Sequence, residues 1–308
     1  MAHEVETMFS TRTAPWHGLG TIVMDAPDSK TALQIAGLDW KVRQKDVYTK
    51  EGFYIPGYKL NYRDSDFQQL GIVTDRYRVV QNADAFKFTD DLLGAGVKYE
   101  TAGSLQGGRR TWILAKLPEQ YIIAGDKITP YMLVMNSHDG TSSIKVCMTP
   151  IRVVCSNTLN LALSSAKRVW QTKHTENILD RMDDAKETLL FAHGYMSGLG
   201  KVIDRLNQNK LTDKKVLEYM QTFFPVSVEQ SDIQRKNNSR LLEDLKRRYF
   251  DAPDLQYVGK NAYRFINAVS DFATHAEPIR RTKNYSENLF IRTVEGNPMI
   301  DRAYQMVA

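Results

Sequence analysis

The sequence predicts an α+β protein, an antiparallel sheet with interspersed helices followed by a mostly helical C-terminal region. Three observations carry this. Residues 40–80 are rich in Val, Tyr, Ile and Phe and are broken by turn signals at "KEG" and "RDSD", the mark of short antiparallel strands. Two further pairs of β-rich runs flank "SLQGG" and "HDG", and Asp-Gly readily takes the positive dihedrals of a tight turn. Beyond Thr172 the apolar spacing becomes helical, with Ile178, Met182, Ala185, Leu189 and Met196 forming one stripe. The expected domains are therefore residues 1–170, mixed α+β, and residues 171–308, helical.

Taken in order, Asp28 or Ser29 caps a short helix, "SKTALQIAG", which Gly37 ends. Three or four strands follow. Asn82 caps a helix over "ADAFKFTDDLL", whose Ala85, Phe86, Leu92 and Leu93 share a face, and Gly94 follows it. "VKYETAG" and "RRTWILAKL" form one hairpin, "KITPYMLVMNS" and "TSSIKVCMT" a second. Pro150 has no ladder donor and interrupts the last strand, which "IRVVC" resumes. Ser156 or Asn157 then caps "TLNLALSSAKRVW", a helix bringing Lys167, Arg168 and Trp170 to its C-terminus. One long helix comes next, with Gly198 as the place where an interruption would fall. Four more, over "DKKVLEYMQTFF", "SRLLEDLKRRYF", "NAYRFINAVSDFAT" and "NPMIDRAYQMV", complete the chain.

With 42% hydrophobic and 25% charged residues, the composition is that of a globular chain and excludes disorder as the dominant state. No apolar run approaches the roughly 20 residues of a membrane helix, so no membrane partner is expected. The start "MAHEVETMFSTRTAP" carries acids and lacks the features of a signal peptide, which sets the expected location in the cytoplasm. Cys147 and Cys155, the two cysteines, stand in a C-x7-C spacing unlike the C-x2-C of zinc sites. They read as buried apolar residues. With scattered histidines and no H-E-x-x-H, neither a metal nor a cofactor is expected.

Charge is distributed unevenly. Residues 1–150 hold 17 basic and 17 acidic side chains, and residues 151–308 hold 24 and 19. Between Asp139 and Glu176 no acid occurs, while Lys145, Arg152, Lys167, Arg168 and Lys173 supply five positive charges, the whole excess of the +5 chain. Cations beside aromatics such as Tyr131 and Trp170 are what a groove for a nucleic-acid backbone needs. Basic residues near a helix C-terminus also suit the helix dipole. In "GSLQGGRR" the glycines suggest a mobile hairpin tip on which Arg109 and Arg110 can touch a polyanion, with Trp112 close behind. The G-K-[ST] ending of a phosphate loop is missing.

Ser137, His138 and Asp139 have the residue types of a nucleophilic triad. Triads, however, converge from separate elements so that each side chain bonds the next. Three consecutive residues read instead as turn-formers, with His138 and Asp139 as a possible ligand loop at an exposed tip.

The fragments "PWHGLG", "NSHDGTSSIKVCMTPIRVVCSNTLNLAL" and "KNAYRFINAVSDFATHAEPIRR" resemble a phage- and plasmid-encoded family defined by a domain of unknown function, nine-three-two. The resemblance implies a mobile-element origin and a bacterial host cytoplasm, and supplies no mechanism. In architecture alone, the helix–strands–helix order at residues 29–93 is similar to that of Rad52-like phage single-strand annealing proteins, which group strands and a helix around a basic groove.

The leading expectation is a non-enzymatic protein that binds single-stranded nucleic acid in annealing or recombination. Lys145, Arg152, Lys167, Arg168 and Lys173 neutralise phosphates, Trp170 and Trp112 stack bases, and the helical region builds a homo-oligomer. The alternative is a counter-defence protein that binds a host defence protein or a small anionic nucleotide signal. A hydrolase or nuclease using His138 and Asp139 is a third reading.

Overall fold

A computed structural model describes residues 5–11, 21–23, 27–94, 98–117, 121–123, 125–152, 169–175, 186–282 and 296–308, with residues 285, 288, 289 and 292. The chain divides into two compact units. One comprises Met1–Glu119, Pro130–Met148 and Lys167–Ala192, the other Gln120–Thr129, Thr149–Ala166 and His193–Ala308.

The chain forms two sheets, the smaller in the first unit and the larger mostly so, with residues 121–123, 126–129 and 149–152 of its strands counted in the second. In the larger, β1 (Val5–Ser10) pairs with β2 (Thr21–Ile22) and with β6 (Lys98–Leu105). The order continues through β7 (Arg110–Lys116), β9 (Asp126–Ser137), β10 (Ile144–Arg152) and β11 (Val169–Thr172), and a short β8 (Tyr121–Ile123) pairs with the start of β9. Both expected hairpins are present. β6 and β7 are buried over nearly their whole length, as strands covered on both faces must be. The smaller sheet is an antiparallel meander of β3 (Val42–Tyr48), β4 (Tyr54–Arg63) and β5 (Gln69–Thr74).

Two helices flank the meander in sequence. α1 (Ser29–Ile35) starts where the Asp28 carboxylate accepts the Thr31 N–H at 2.8 Å, and Gly37, at φ 63°, follows it. α2 (Asn82–Leu93) buries Ala85, Phe86 and Phe88. Its N-cap is Gln81, not Asn82. Gln81 brackets β3 by accepting the Val42 N–H at 2.9 Å and donating to the Val42 carbonyl at 3.0 Å. Asn82 is thereby turned inward, to donate to the Leu38 carbonyl.

Two other expectations give way to the same kind of local accounting. Pro150 does not break β10. It lies within β10 beyond Ile144–Cys147, the described residues that pair with β11. Trp170 is in a strand rather than at a helix end. The rest of the helix expected over residues 158–170, up to residue 168, lies outside the described residues.

Further helices carry the rest. α3 (Lys186–Gln208) runs unbroken through Gly198, and α4 (Asp213–Phe223) follows. α5 (Asp232–Phe250) begins well before the expected Ser239, because Ser231 and Gln234 form a capping box. α6 (Ala262–His275) is buried on almost every side, and Asn297 caps α7 (Pro298–Val307). Arg264 of α6 is a buried cation over the Tyr249 ring, donating to the carbonyls of Tyr249 at 2.8 Å, Val258 at 3.1 Å and Phe250 at 3.3 Å. The exposed carbonyls of a helix end carry partial negative charge, so the last turn of α5 satisfies this guanidinium.

Candidate nucleic-acid interface

The "NSHDG" turn is the polar centre of the first unit. Ser137 donates its hydroxyl to the Asp139 carboxylate at 2.6 Å, and Thr141 donates both its N–H (2.9 Å) and its hydroxyl (2.6 Å) to the same oxygen. The turn reading stands, and the serine is directed away from the histidine. His138 is wholly buried, which corrects the expectation of an exposed ligand loop. Its Nε2 lies 3.0 Å from Asn82 Oδ1. Because Asn82 Nδ2 is committed to the Leu38 carbonyl, its Oδ1 must accept, and His138 is the Nε2–H tautomer with a bare Nδ1. Among the described residues no nucleophile touches that nitrogen.

Burial pushes the His138 imidazole down to about 3, with nearby His174 adding to the fall and Asp139 opposing it. His174 is stacked on Tyr77 with ring centroids 4.6 Å apart, and burial lowers it too, against a hydrogen bond to the Arg78 carbonyl. Asp139 is half-buried, which alone would raise its carboxyl. The Ser137 and Thr141 donors outweigh that and hold it below the ordinary value.

This centre is where the small sheet is anchored. Asn61 donates to the His138 carbonyl at 2.7 Å, and Arg63 lies over the Trp40 ring at 5.4 Å. β5 approaches the turn so closely that a Cβ on Gly71 would sit 2.7 Å from Asp139 Cα. The face of the meander turned to the unit is thus mixed, with Val42, Leu70 and Val73 buried beside Gln44, Asn61 and Arg63 and the Lys59–Asp46 pair at its rim.

The other face has a different character. Strand pairing sets Arg43 beside Tyr62, Lys45 beside Leu60 and Ile72, and Tyr58 beside Thr74. Phe67, in the β4–β5 turn, stacks on Tyr62 with centroids 6.1 Å apart and planes 14° from parallel, and Lys45 Nζ lies 5.4 Å from the Tyr62 centroid. Solvent reaches 47% of Tyr58, 60% of Ile72 and 74% of Phe67. Phe67 holds φ at 59°, uncommon for a bulky residue. The turn is braced by Arg63, which grips both oxygens of Asp66 and holds that carboxyl at about 2. Asp46, the one acid within the three strands, is on the anchored face paired to Lys59. The solvent face therefore combines two cations, stacked aromatics and no strand carboxylate.

The residues nominated by sequence are dispersed. Lys145 is opposite Gln171 and Trp170 is opposite Val146. Successive strand residues face opposite ways, so Lys145 and Trp170 occupy different faces of the β10–β11 ladder and do not form one groove. Lys173 is exposed just past β11, and Arg152 ends β10. Lys167, Arg168 and Cys155 lie outside the described residues. Arg109 is exposed, whereas Arg110 is half-buried with a donor 3.4 Å from the Thr141 hydroxyl. The tip between them is packed, since a Cβ on Gly108 would meet Trp40 and Arg63 at 3.2 and 3.3 Å. Trp112 is buried and presents no stacking surface, and Cys147 is a buried thiol. Among the described residues no group of three or more His, Cys, Asp or Glu could hold a metal, and no helix is long and apolar enough to cross a membrane.

Sequence reading missed Arg43, Lys45, Tyr58, Tyr62, Phe67 and Ile72. A signal was present in "YKLNYR", whose alternation puts Tyr58, Leu60 and Tyr62 on one face. The usual rule sends such a face inward.

Fold and surface together define an α+β protein that presents an aromatic, cationic sheet face to solvent. The chain belongs to the family of the domain of unknown function 932, whose model matches residues 69–292. That match begins at β5, so Arg43, Lys45, Tyr62 and Phe67 precede it. No curated protein and no solved structure matches the chain.

Proposed function

We propose that this protein binds single-stranded nucleic acid on the solvent face of the β3–β5 sheet, with Tyr62 and Phe67 as stacking platforms and Arg43 and Lys45 as phosphate partners. The observation carrying the reading is the outer face of the meander, where Tyr58, Phe67 and Ile72 are held out to solvent beside two cations, Arg43 and Lys45. Contiguous exposed apolar surface marks a binding site in a globular protein. Bases are the occupant that suits flat rings flanked by cations, because every base has a face to stack and every link carries a negative charge. Double-stranded nucleic acid buries those faces and does not compete for the platform.

Fluorescence anisotropy with labelled oligo(dT) and oligo(U) tests this. Base–aromatic stacking contributes about 1–3 kcal/mol per base, so Tyr62→Ala should weaken binding by roughly 5- to 150-fold, whereas Trp170→Ala should leave it nearly unchanged. Failure of the wild-type chain to bind either oligomer at low salt would sink the reading. So would full binding by a folded Tyr62→Ala, Phe67→Gly double variant.

A further inference from the structure

We infer that the first unit binds one monovalent copper ion between Nδ1 of His138 and Nε2 of His174. Both nitrogens are buried and neither has a hydrogen-bond partner, on side chains to which solvent has 0% and 6% access. A buried polar atom left bare in a fold calls for a water or an ion.

Each nitrogen is fixed as a lone-pair acceptor by a bond on the far side of its ring. His138 gives its Nε2–H to Asn82 Oδ1 at 3.0 Å. His174 has Nδ1 at 3.1 Å from the Arg78 carbonyl, which can only accept, so the proton is on Nδ1 and the lone pair on Nε2. An oxygen that holds the N–H behind a bare ring nitrogen is what orients a metal-ligating imidazole.

Tyr77 brings the two rings together. His174 stacks on its ring at 4.6 Å, and its hydroxyl donates to the Ser137 carbonyl at 2.6 Å, one peptide before His138. The backbone repeats the attachment, with the Arg78 N–H donating to the His174 carbonyl at 3.2 Å. The imidazoles also sense each other, since His174 disfavours a charge on His138. Lys173 and Thr175 on either side of His174 are exposed, so the site is close to solvent.

Two lone pairs call for an electron-pair acceptor. A water could donate to both, but its own oxygen would then need donors, and the groups packed on this turn are already spent. Tyr77 is committed to Ser137, Asn61 to the His138 carbonyl, Asn136 to Val80 and Asn82 to Leu38. A metal ion has no such need. Imidazole suits zinc, copper, iron and nickel. Zinc sites are almost always four-coordinate, and the described residues offer no group of three or more His, Cys, Asp or Glu. Monovalent copper is the ion satisfied by two nitrogen donors in line. Its single charge is met by Asp139, which Ser137 and Thr141 keep ionised within electrostatic reach of His138.

Titration of the metal-free full chain with Cu(I), under ascorbate and without oxygen, in competition with the chromophoric chelator bicinchoninate tests the site. One equivalent of copper should be withheld from the chelator. His138→Gln and His174→Gln should each weaken retention by about tenfold or more, whereas a Cys147→Ser, Cys155→Ser double variant should keep it. X-ray absorption at the copper edge of the wild-type chain, which needs no variant to fold, should show two nitrogen neighbours and no sulfur. Release of all the copper to the chelator overturns the inference. So does sulfur in the copper shell, full retention by either folded histidine variant, or equally tight uptake of Zn²⁺.

Discussion

At the scale of single residues, burial has converted a candidate catalytic histidine into a structural one with a measurable signature. His138 is neutral in the fold because burial pushes it from its ordinary 6.5 to about 3. The unfolded chain takes up a proton below about pH 6.5, whereas the folded chain refuses it until about pH 3. Stability is therefore complete above this window and falls as pH drops through it. At pH 5.5 His138 should account for about 1 kcal/mol of lost stability relative to pH 8, read by urea unfolding at the two values. His174 is shifted in the same direction and adds to the loss. A His138→Gln chain should be less stable at neutral pH and show a shallower dependence. An unchanged dependence would mean that His138 is not the buried neutral group described. Phe67 allows the opposite separation. Its positive φ is a conformation glycine adopts freely. Phe67→Gly should thus unfold within about 1 kcal/mol of wild type while losing most of its affinity for oligo(dT).

At the scale of elements, the short helices and both hairpins were legible in the sequence because their signals are local. Asp28 caps α1, Gly37 follows it, and Asp139 with Gly140 makes the turn between β9 and β10. What was hidden depends on partners distant in sequence. Nothing near Trp170 reveals that it pairs with Val146, and that register alone decides which face it shares. The orientation of the meander was hidden for the same reason, since the partner of Asn61 is a carbonyl 77 residues away. The close approach of β5 to the "NSHDG" turn supplies the test at this scale. Gly71 has no room for a methyl group, as its Cβ would press on the Asp139 backbone at 2.7 Å, and backbone cannot rotate aside. Gly71→Ala should cost ~1–3 kcal/mol by overpacking and tilt the meander off its anchor. Denaturant midpoints measure the first effect, and weaker oligo(dT) binding by the folded fraction measures the second.

At the scale of the whole molecule, the question is whether nucleic acid meets a diffuse field or a defined patch. The excess of five positive charges permits either, and salt dependence separates them. Each phosphate neutralised on a single strand contributes about −0.7 to the slope of log affinity against log salt. A groove using all five cations of the acid-free window would give a slope of about −3.5, whereas a patch built on Arg43 and Lys45 gives about −1.4. The shallow slope is the result expected of the proposed sheet-face site, where most of the affinity would come from stacking, which salt does not screen. Lys45→Glu should flatten it further and weaken binding, whereas Lys173→Glu should leave both intact. A steep slope that survives Lys45→Glu would return the interface to the basic window and leave the aromatic face without its ligand.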